Sequence, residues 1–215
     1  MNPGEIFEQF VSGLRQTSLL EFIAVVFGIA SVYFSRVEHI LVYPVGLVNT
    51  VIYVYLSIKG HLFGEASVNL FYTIMSIYGW VLWSRRNQAL QPALSIRYNT
   101  VKEWWTDLAL FGVLYLILYI CLALLKKYFA PGAIPWADAL ASASAFTGMW
   151  LMAKKKVESW YWWIDTNLCS IPLYFVKGYV FTSVFYLVLL IMAFWGLAEW
   201  KRKANGAVAI RLNNI

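Results

Sequence analysis

Charge is scarce in this chain. Only 13% of its 215 residues are Asp, Glu, Lys or Arg, against about 25% in soluble domains, which excludes water as its main solvent. Cysteine and histidine are nearly missing, with two of each. Cys121 and Cys169 fall inside apolar runs and read as small apolar residues rather than a disulfide framework. His39 and His61 lie near the ends of such runs; with no Cys/His cluster and no HExxH, a metal site is not expected. No glycine-rich phosphate loop is present, which argues against an ATP-driven pump within this chain. The first 17 residues carry Glu5, Glu8 and a single basic residue, Arg15, with no clear small-residue cleavage site after them, so they lack the marks of a secretory signal. No cofactor is expected.

What is abundant is apolar length. Hydrophobic residues make up 61% of the chain, and seven stretches approach the ~20 apolar residues that cross a ~30 Å hydrocarbon core. They run over about 18–35, 40–58, 66–84, 104–126, 137–153, 159–177 and 179–200, the fifth being the shortest. Ahead of them, Ile6, Phe7, Phe10, Val11 and Leu14 recur at helical spacing, which predicts a short helix lying on the membrane surface, with a partly ordered tail as the alternative.

The basic residues are asymmetric. The N-terminus and the loops after spans two, four and six hold Arg15, Lys59, Lys126, Lys127 and Lys177, whereas twelve of the 17 fall on the other side. These are Arg36, Arg85, Arg86, Arg97, Lys102, Lys154, Lys155, Lys156, Lys201, Arg202, Lys203 and Arg211. By the positive-inside rule this predicts a cytoplasmic C-terminus and an external N-terminus. The net charge of +6 follows from clustering at helix ends that meet anionic headgroups. It makes no case for nucleic acid.

A weak internal repeat organises the spans. At an offset of 117, Glu21 meets Asp138, Ala24 meets Ala141, Met75 meets Met192, Gly79 meets Gly196 and Trp83 meets Trp200. In the middle helix an offset of 118 pairs Asn49 with Asn167, Lys59 with Lys177 and Gly60 with Gly178. The expected fold is therefore an all-α membrane protein of seven transmembrane helices. Two three-helix repeats (18–86 and 136–203) flank a loop and linker helix (87–135), with 1–17 as an interfacial segment and 204–215 as a cytoplasmic tail. One intervening span makes the repeats parallel, a 3+1+3, SWEET-like layout typical of transporters. Ala24 and Gly28, like Ala141 and Ala145, are four apart and form small-xxx-small packing faces.

Polar groups at depth locate the candidate site, because an unpaired one in hydrocarbon costs several kcal/mol. Asn49 and Asn167 lie halfway along spans two and six and are expected to meet near the pseudo-twofold axis. A lone midspan Asn is more often an interhelical hydrogen bond; two at equivalent depth favour a site. An amide suits hydroxyls or a carboxamide. Trp160, Trp163 and Asn167 share one helical face. Trp160, Tyr161 and Trp162 read as interfacial anchors, while Trp163 is the candidate for stacking on a flat ligand. Asn69, Tyr72 and Ser76 share a face of span three that continues toward Trp80, and Tyr53 and Tyr186 complete the candidate lining. Singly, each of these is more often packing than ligand contact. Asp165 sits half a turn from Asn167 and reads as a structural partner or gate contact; Glu21 and Asp138 read as solvated acids near the outer span ends.

Trp160-x-x-Trp163-x-x-x-Asn167 on span six, Gly-Trp-x-x-Trp at 79–83 and the three-plus-one-plus-three layout resemble the PnuC family of bacterial nicotinamide riboside transporters. The resemblance covers essentially the whole membrane region. Span two departs from it, with Val42 and Val45 at the positions matching the tryptophans, so an asymmetric site is expected. The resemblance implies a homotrimer in the inner membrane and import by facilitated diffusion, with the substrate trapped by phosphorylation inside. The pyridinium ring, carboxamide and ribose of nicotinamide riboside suit Trp163, Asn49, Asn69 and Asn167. Rival readings are a transporter of thiamine, riboflavin or a sugar, and, from other classes, a membrane receptor or an enzyme. No acid/base or nucleophile constellation at depth supports an enzyme.

Overall fold

The computed structural model describes the backbone of residues 3–60, 63–86, 92–128 and 134–213. His61 and the side chains of Lys127 and Arg211 lie outside the described residues. Within them the chain is all helical. The elements are α1 (Pro3–Gln16), α2 (Leu19–Val37), α3 (Val42–Lys59), α4 (Phe63–Ser84), α5 (Val101–Tyr128), α6 (Pro135–Ala153), α7 (Ser159–Val176) and α8 (Val180–Asn213). Four of them contain segments long and apolar enough to cross a membrane, over 19–37, 42–59, 101–126 and 180–206. The other long helices, α4, α6 and α7, carry the polar residues that lower their hydropathy. Most of α6 is buried against its neighbours, where small Ala and Ser side chains let backbones approach closely.

Local chemistry sets the boundaries. Ser18 caps α2, its side chain accepting from Glu21 N. Pro135 opens α6, where its missing N–H costs nothing. The carboxylate of Asp138 accepts from Ile134 N at 2.8 Å, holding the first turn. α2 ends on Glu38 in the left-handed region (φ 64°), and Lys155, just past the end of α6, does the same (φ 53°).

Packing runs in sequence order. α2, α3 and α4 form one consecutively packed group and α6, α7 and α8 another; α5 packs on α6. The groups meet through α2 with α8 and α4 with α6. α1 lies on α8, with Phe10 against Phe181 at 5.8 Å, and Phe7 stays exposed. α8 continues through the stretch expected to be a separate tail.

Equivalent contacts recur in the two groups at a constant offset of 117. Glu38 N donates to Ser35 O and Lys155 N to Met152 O; His39 N donates to Phe34 O and Lys156 N to Leu151 O. Tyr43 meets Trp83 edge-on (5.2 Å, 87°) as Trp160 meets Trp200 (5.7 Å, 85°). Both ends of α3 and α7 also differ by 117. This corrects the offset of 118 in the middle helix: Asn49 corresponds to Thr166, and Asn167 to Thr50. The positions matching Trp160 and Trp163 are therefore Tyr43 and Gly46, not Val42 and Val45. Pairing like residues had favoured a slip of one, but the turns before the two helices are built alike and fix the register.

Candidate functional site

The strongest convergence of candidate residues lies between α4, α6 and α7. Tyr72 on α4 stands 6.4 Å from the ring of Trp163 on α7 and 5.9 Å from Phe146 on α6, the latter edge-on at 87°. Phe71 closes on Phe146 at 4.1 Å. Residue 148 of α6, which faces Trp162 and Trp163, is glycine. A β-carbon there would stand 3.4 Å from Trp163 Nε1 and 3.2 Å from Trp162 Cβ, tighter than ordinary contact in the second case. In the other group the small and large positions differ: Ser31 stands where Gly148 does and Gly46 where Trp163 does. A β-carbon on Gly46 would meet Ser31 Oγ at 2.9 Å. The asymmetry expected of the two groups is present, with a ring on one side and a hydroxyl on the other.

Asn167 lies one turn beyond Trp163 on α7. It is only 3% exposed, and its amide has no hydrogen-bond partner among the described residues. Its neighbours on α7 are already committed: Thr166 Oγ1 bonds Trp162 O at 2.9 Å, and Asp165 accepts from Ser144 Oγ at 2.6 Å. Asp165 is thus a structural partner of α6.

Asn49 is used differently. Its Nδ2 donates to Ala24 O on α2 at 2.7 Å, and Gly28 leaves room for the amide, since a β-carbon there would stand 2.9 Å from Nδ2. α3 and α7 make no close backbone approach among the described residues. The expectation that Asn49 and Asn167 meet face to face is corrected: one amide ties α3 to α2, and the other stays unengaged. Asn69 likewise donates to Glu65 O of its own helix at 3.0 Å. Ser76 is 2% exposed, beside Gly46. Trp80 is on an exposed face, lining a shallow groove with Val81, Ser84 and Arg85, away from the convergence of Tyr72, Phe146 and Trp163.

Tyr186 stacks on Tyr174 at 5.2 Å. Near them Lys177 Nζ meets Asp138 Oδ1 at 2.6 Å and lies 5.8 Å from the Tyr174 ring. Asp138 is thus ion-paired rather than simply solvated. Tyr53 is half-buried on α3.

Trp160, expected to be an interfacial anchor, is 1% exposed and drives its ring into the space left by Gly196. Trp162 faces α5, 4.8 Å from Phe111. Tyr161 does remain half-exposed, with Lys201 5.2 Å from its ring. Phe146 was not among the sequence candidates. One signal for it existed: it is the sole ring in a run of mostly small residues, 137–148, on the helix that packs against both α4 and α7.

At the basic end of the molecule, Arg97 and Lys156 both bond the Glu103 carboxylate, at 2.7 and 2.6 Å. The hydrogen bond to Glu103 raises the Arg97 guanidinium above its ordinary pKa. Burial lowers that of Lys154, whose ammonium lies 3.8 Å from the Trp150 ring. No group of three or more His, Cys, Asp or Glu among the described residues is arranged to hold a metal ion.

A family model described as nicotinamide mononucleotide transporter matches residues 18–202. The riboflavin/roseoflavin transporter RibM of Streptomyces davaonensis is 29% identical over 143 residues, spanning 66% of this chain and 65%, just under two thirds, of its own length. The nicotinamide riboside transporter PnuC of Escherichia coli is 23% identical over 214 residues, covering 90% of each chain. Among solved structures, the crystal structure of the vitamin B3 transporter PnuC superposes with a TM-score of 0.70 at 23% identity, over 94% of this chain and 89% of that one.

Proposed function

Given that the chain belongs to the nicotinamide mononucleotide transporter family of membrane transporters, we propose that it imports nicotinamide riboside across the bacterial inner membrane by facilitated diffusion. The substrate lies between the two three-helix groups, its pyridinium ring on Trp163 with Tyr72 and Phe146 around it. The observation that carries this reading is Asn167, a 3% exposed residue one turn from that ring whose amide has no hydrogen-bond partner among the described residues. Two donors and an acceptor match a carboxamide or ribose hydroxyls. Stacking or cation–π contact with Trp163 contributes about 0.5–2 kcal/mol. Asn49, Asn69, Tyr53, Ser76 and Tyr186 serve as supporting walls, and Trp80 lies outside the site.

Seven transmembrane helices in a 3+1+3, SWEET-like arrangement are part of this proposal. It is supported by the recurrence of contacts at offset 117 and by the way α5 packs on one group alone. A cytoplasmic C-terminus is supported by twelve of 17 basic residues falling on its side. The resemblance extends the proposal to a homotrimer, which native mass spectrometry of the purified protein tests. Riboflavin is the second reading, favoured by the similarity to RibM, because a flat isoalloxazine also stacks on indole.

Uptake of labelled nicotinamide riboside into proteoliposomes without any ion gradient tests the mechanism. Uptake that requires a proton gradient would overturn facilitated diffusion. Binding titrations with nicotinamide riboside, riboflavin and thiamine decide the substrate, and tighter binding of riboflavin would replace the first reading with the second.

A further inference from the structure

Residues related by a twofold axis can touch one another only on that axis. Two such pairs occur here, each 117 apart in sequence. Ser35 Oγ donates to Met152 Sδ at 3.0 Å, and Lys155 Nζ bonds Glu38 Oε1 at 2.8 Å. The local pseudo-twofold therefore passes through the ends of α2 and α6. Yet those two helices make no close backbone approach among the described residues; they are joined there by side chains alone.

Two tryptophans complete this knot by exchange. Trp83, from the first group, donates its indole N–H to Ala153 O at the end of α6 (3.1 Å). Trp200, its equivalent, donates to Ser35 O at the end of α2 (3.0 Å). Lys155 lies 4.6 Å from the Trp83 ring, and Lys203 adds a second cation to Glu38 at 3.1 Å. Trp83, Trp200, Ser35, Met152 and Lys155 are all buried. At this junction α2 and α6 are tied by side-chain bonds, with one carboxylate shared by two ammonium groups, while the two tryptophans sit on the packed α4–α6 and α2–α8 seams within one buried cluster. Separating the ends of α2 and α6 breaks side-chain bonds and no backbone packing between those two helices.

Resting on the transport reading above, we propose that Glu38, Lys155, Trp83 and Trp200 form the gate at the basic, cytoplasmic end of the solute path, and that substrate leaves when their cross-group bonds break. The two sides of this gate are anchored unequally. Arg97 N donates to Lys155 O and Val157 N to Arg97 O, so the segment before α5 clamps the α6–α7 turn. Lys156 reaches Glu103 of α5 across the same seam. The α2–α3 turn carrying Glu38 has no comparable strap among the described residues. Glu38 and its turn are the moving side.

The test uses Ser35→Cys with Met152→Cys in a protein carrying Cys121→Ser and Cys169→Ser. The backbones of α2 and α6 stand too far apart for a direct disulfide, so a short, reducible bifunctional thiol reagent bridges the pair. Bridging is expected to lower uptake of nicotinamide riboside by about tenfold or more. Equilibrium binding should stay within about threefold of the unbridged protein, and reductant should restore uptake. Undiminished uptake in the bridged protein overturns the gate and leaves the transport reading standing. Absence of uptake in the unbridged parent removes both.

A charge exchange gives an independent arm. Glu38→Lys places three cations together and is expected to cut uptake by about tenfold, while Glu38→Lys with Lys155→Glu should recover to within about threefold of the parent. A double variant as impaired as the single one, with unchanged elution on size exclusion, also overturns the proposal.

Discussion

Trp83 and Trp200 lie 6.2 Å apart, and each bonds a carbonyl at the end of the other group's first helix. The relation is reciprocal across a sequence offset of 117, and it joins the two halves at a point where their first helices do not pack. The Trp83 indole N–H supplies Ala153 O with its donor, while Ser35 O takes the Trp200 indole N–H beside Glu38 N.

Removing either N–H should therefore destabilise the protein without emptying much volume. Trp83→Phe is expected to cost about 1–2 kcal/mol, from the unpaired Ala153 carbonyl and the lost ring contact, and Trp200→Phe about 1 kcal/mol, because Ser35 O keeps the bond from Glu38 N. Thermal unfolding of the detergent-solubilised variants checks this; an unchanged midpoint for both would show that the bonds do not hold the halves together.

The two glycines that receive the neighbouring rings should be intolerant of any side chain. A β-carbon on Gly79 would collide with the Tyr43 ring, and one on Gly196 with that of Trp160. Gly79→Ala and Gly196→Ala are each expected to destabilise by about 1–3 kcal/mol through overpacking. Gly206, whose β-carbon would meet nothing within 4 Å, is the control, and Gly206→Ala should leave the melting temperature within experimental error.

The midspan amides of α3 and α7 should separate by function. Asn167→Ala removes an unengaged amide from the candidate site and is expected to weaken nicotinamide riboside binding by about 10- to 100-fold, with little change in stability. Asn49→Ala removes the bond to Ala24 O and is expected to cost about 1 kcal/mol of stability while changing affinity by less than about threefold. Calorimetric titration beside a melting curve decides; the opposite pattern would move the site to α3.

Trp163 offers a test of ligand charge. Trp163→Ala is expected to weaken nicotinamide riboside by about 2- to 30-fold, the span of a desolvated cation–π contact. The neutral dihydro form of the riboside should lose less. An equal loss for both would show that the indole acts only as an apolar wall.

At the basic end, Lys156 is 4% exposed in its side chain and its ammonium is paired with Glu103. Glu103→Gln leaves that ammonium buried without its carboxylate and is expected to destabilise by about 3 kcal/mol, less where water reaches the half-exposed side of the pair. Lys156→Met, which removes the buried charge itself, should cost less. Denaturation of the two variants side by side checks the order.

Much of this molecule is legible in the order of its amino acids. Hydropathy located all seven long helices to within a few residues at most ends, because a run of apolar side chains that must leave water leaves an unmistakable pattern in composition. The face shared by Trp163 and Asn167 followed from helical spacing. Recurrence of Gly79 with Gly196 and of Trp83 with Trp200 revealed the duplication, since both pairs do the same packing work in each half.

Register and partnership were not readable in that way. Matching Asn49 to Asn167 by identity placed the repeat one residue off in the middle helix, because residue type records chemistry while register is set by how the preceding turn is built. Which amide is spent and which stays unengaged depended on whether a neighbouring helix offers a carbonyl: Ala24 O reaches Asn49, and nothing described reaches Asn167. Trp160 and Trp163 share a helical face, yet Gly196 admits the first to the core while the second stands beside Tyr72. The sequence by itself determined the class, the long helices and the recurrence of glycine and tryptophan, all consequences of solvent transfer and local spacing. Only the tertiary structure decided which candidate residues come together and how the halves join, because those depend on contacts between residues far apart in the chain, whose energies no local pattern encodes.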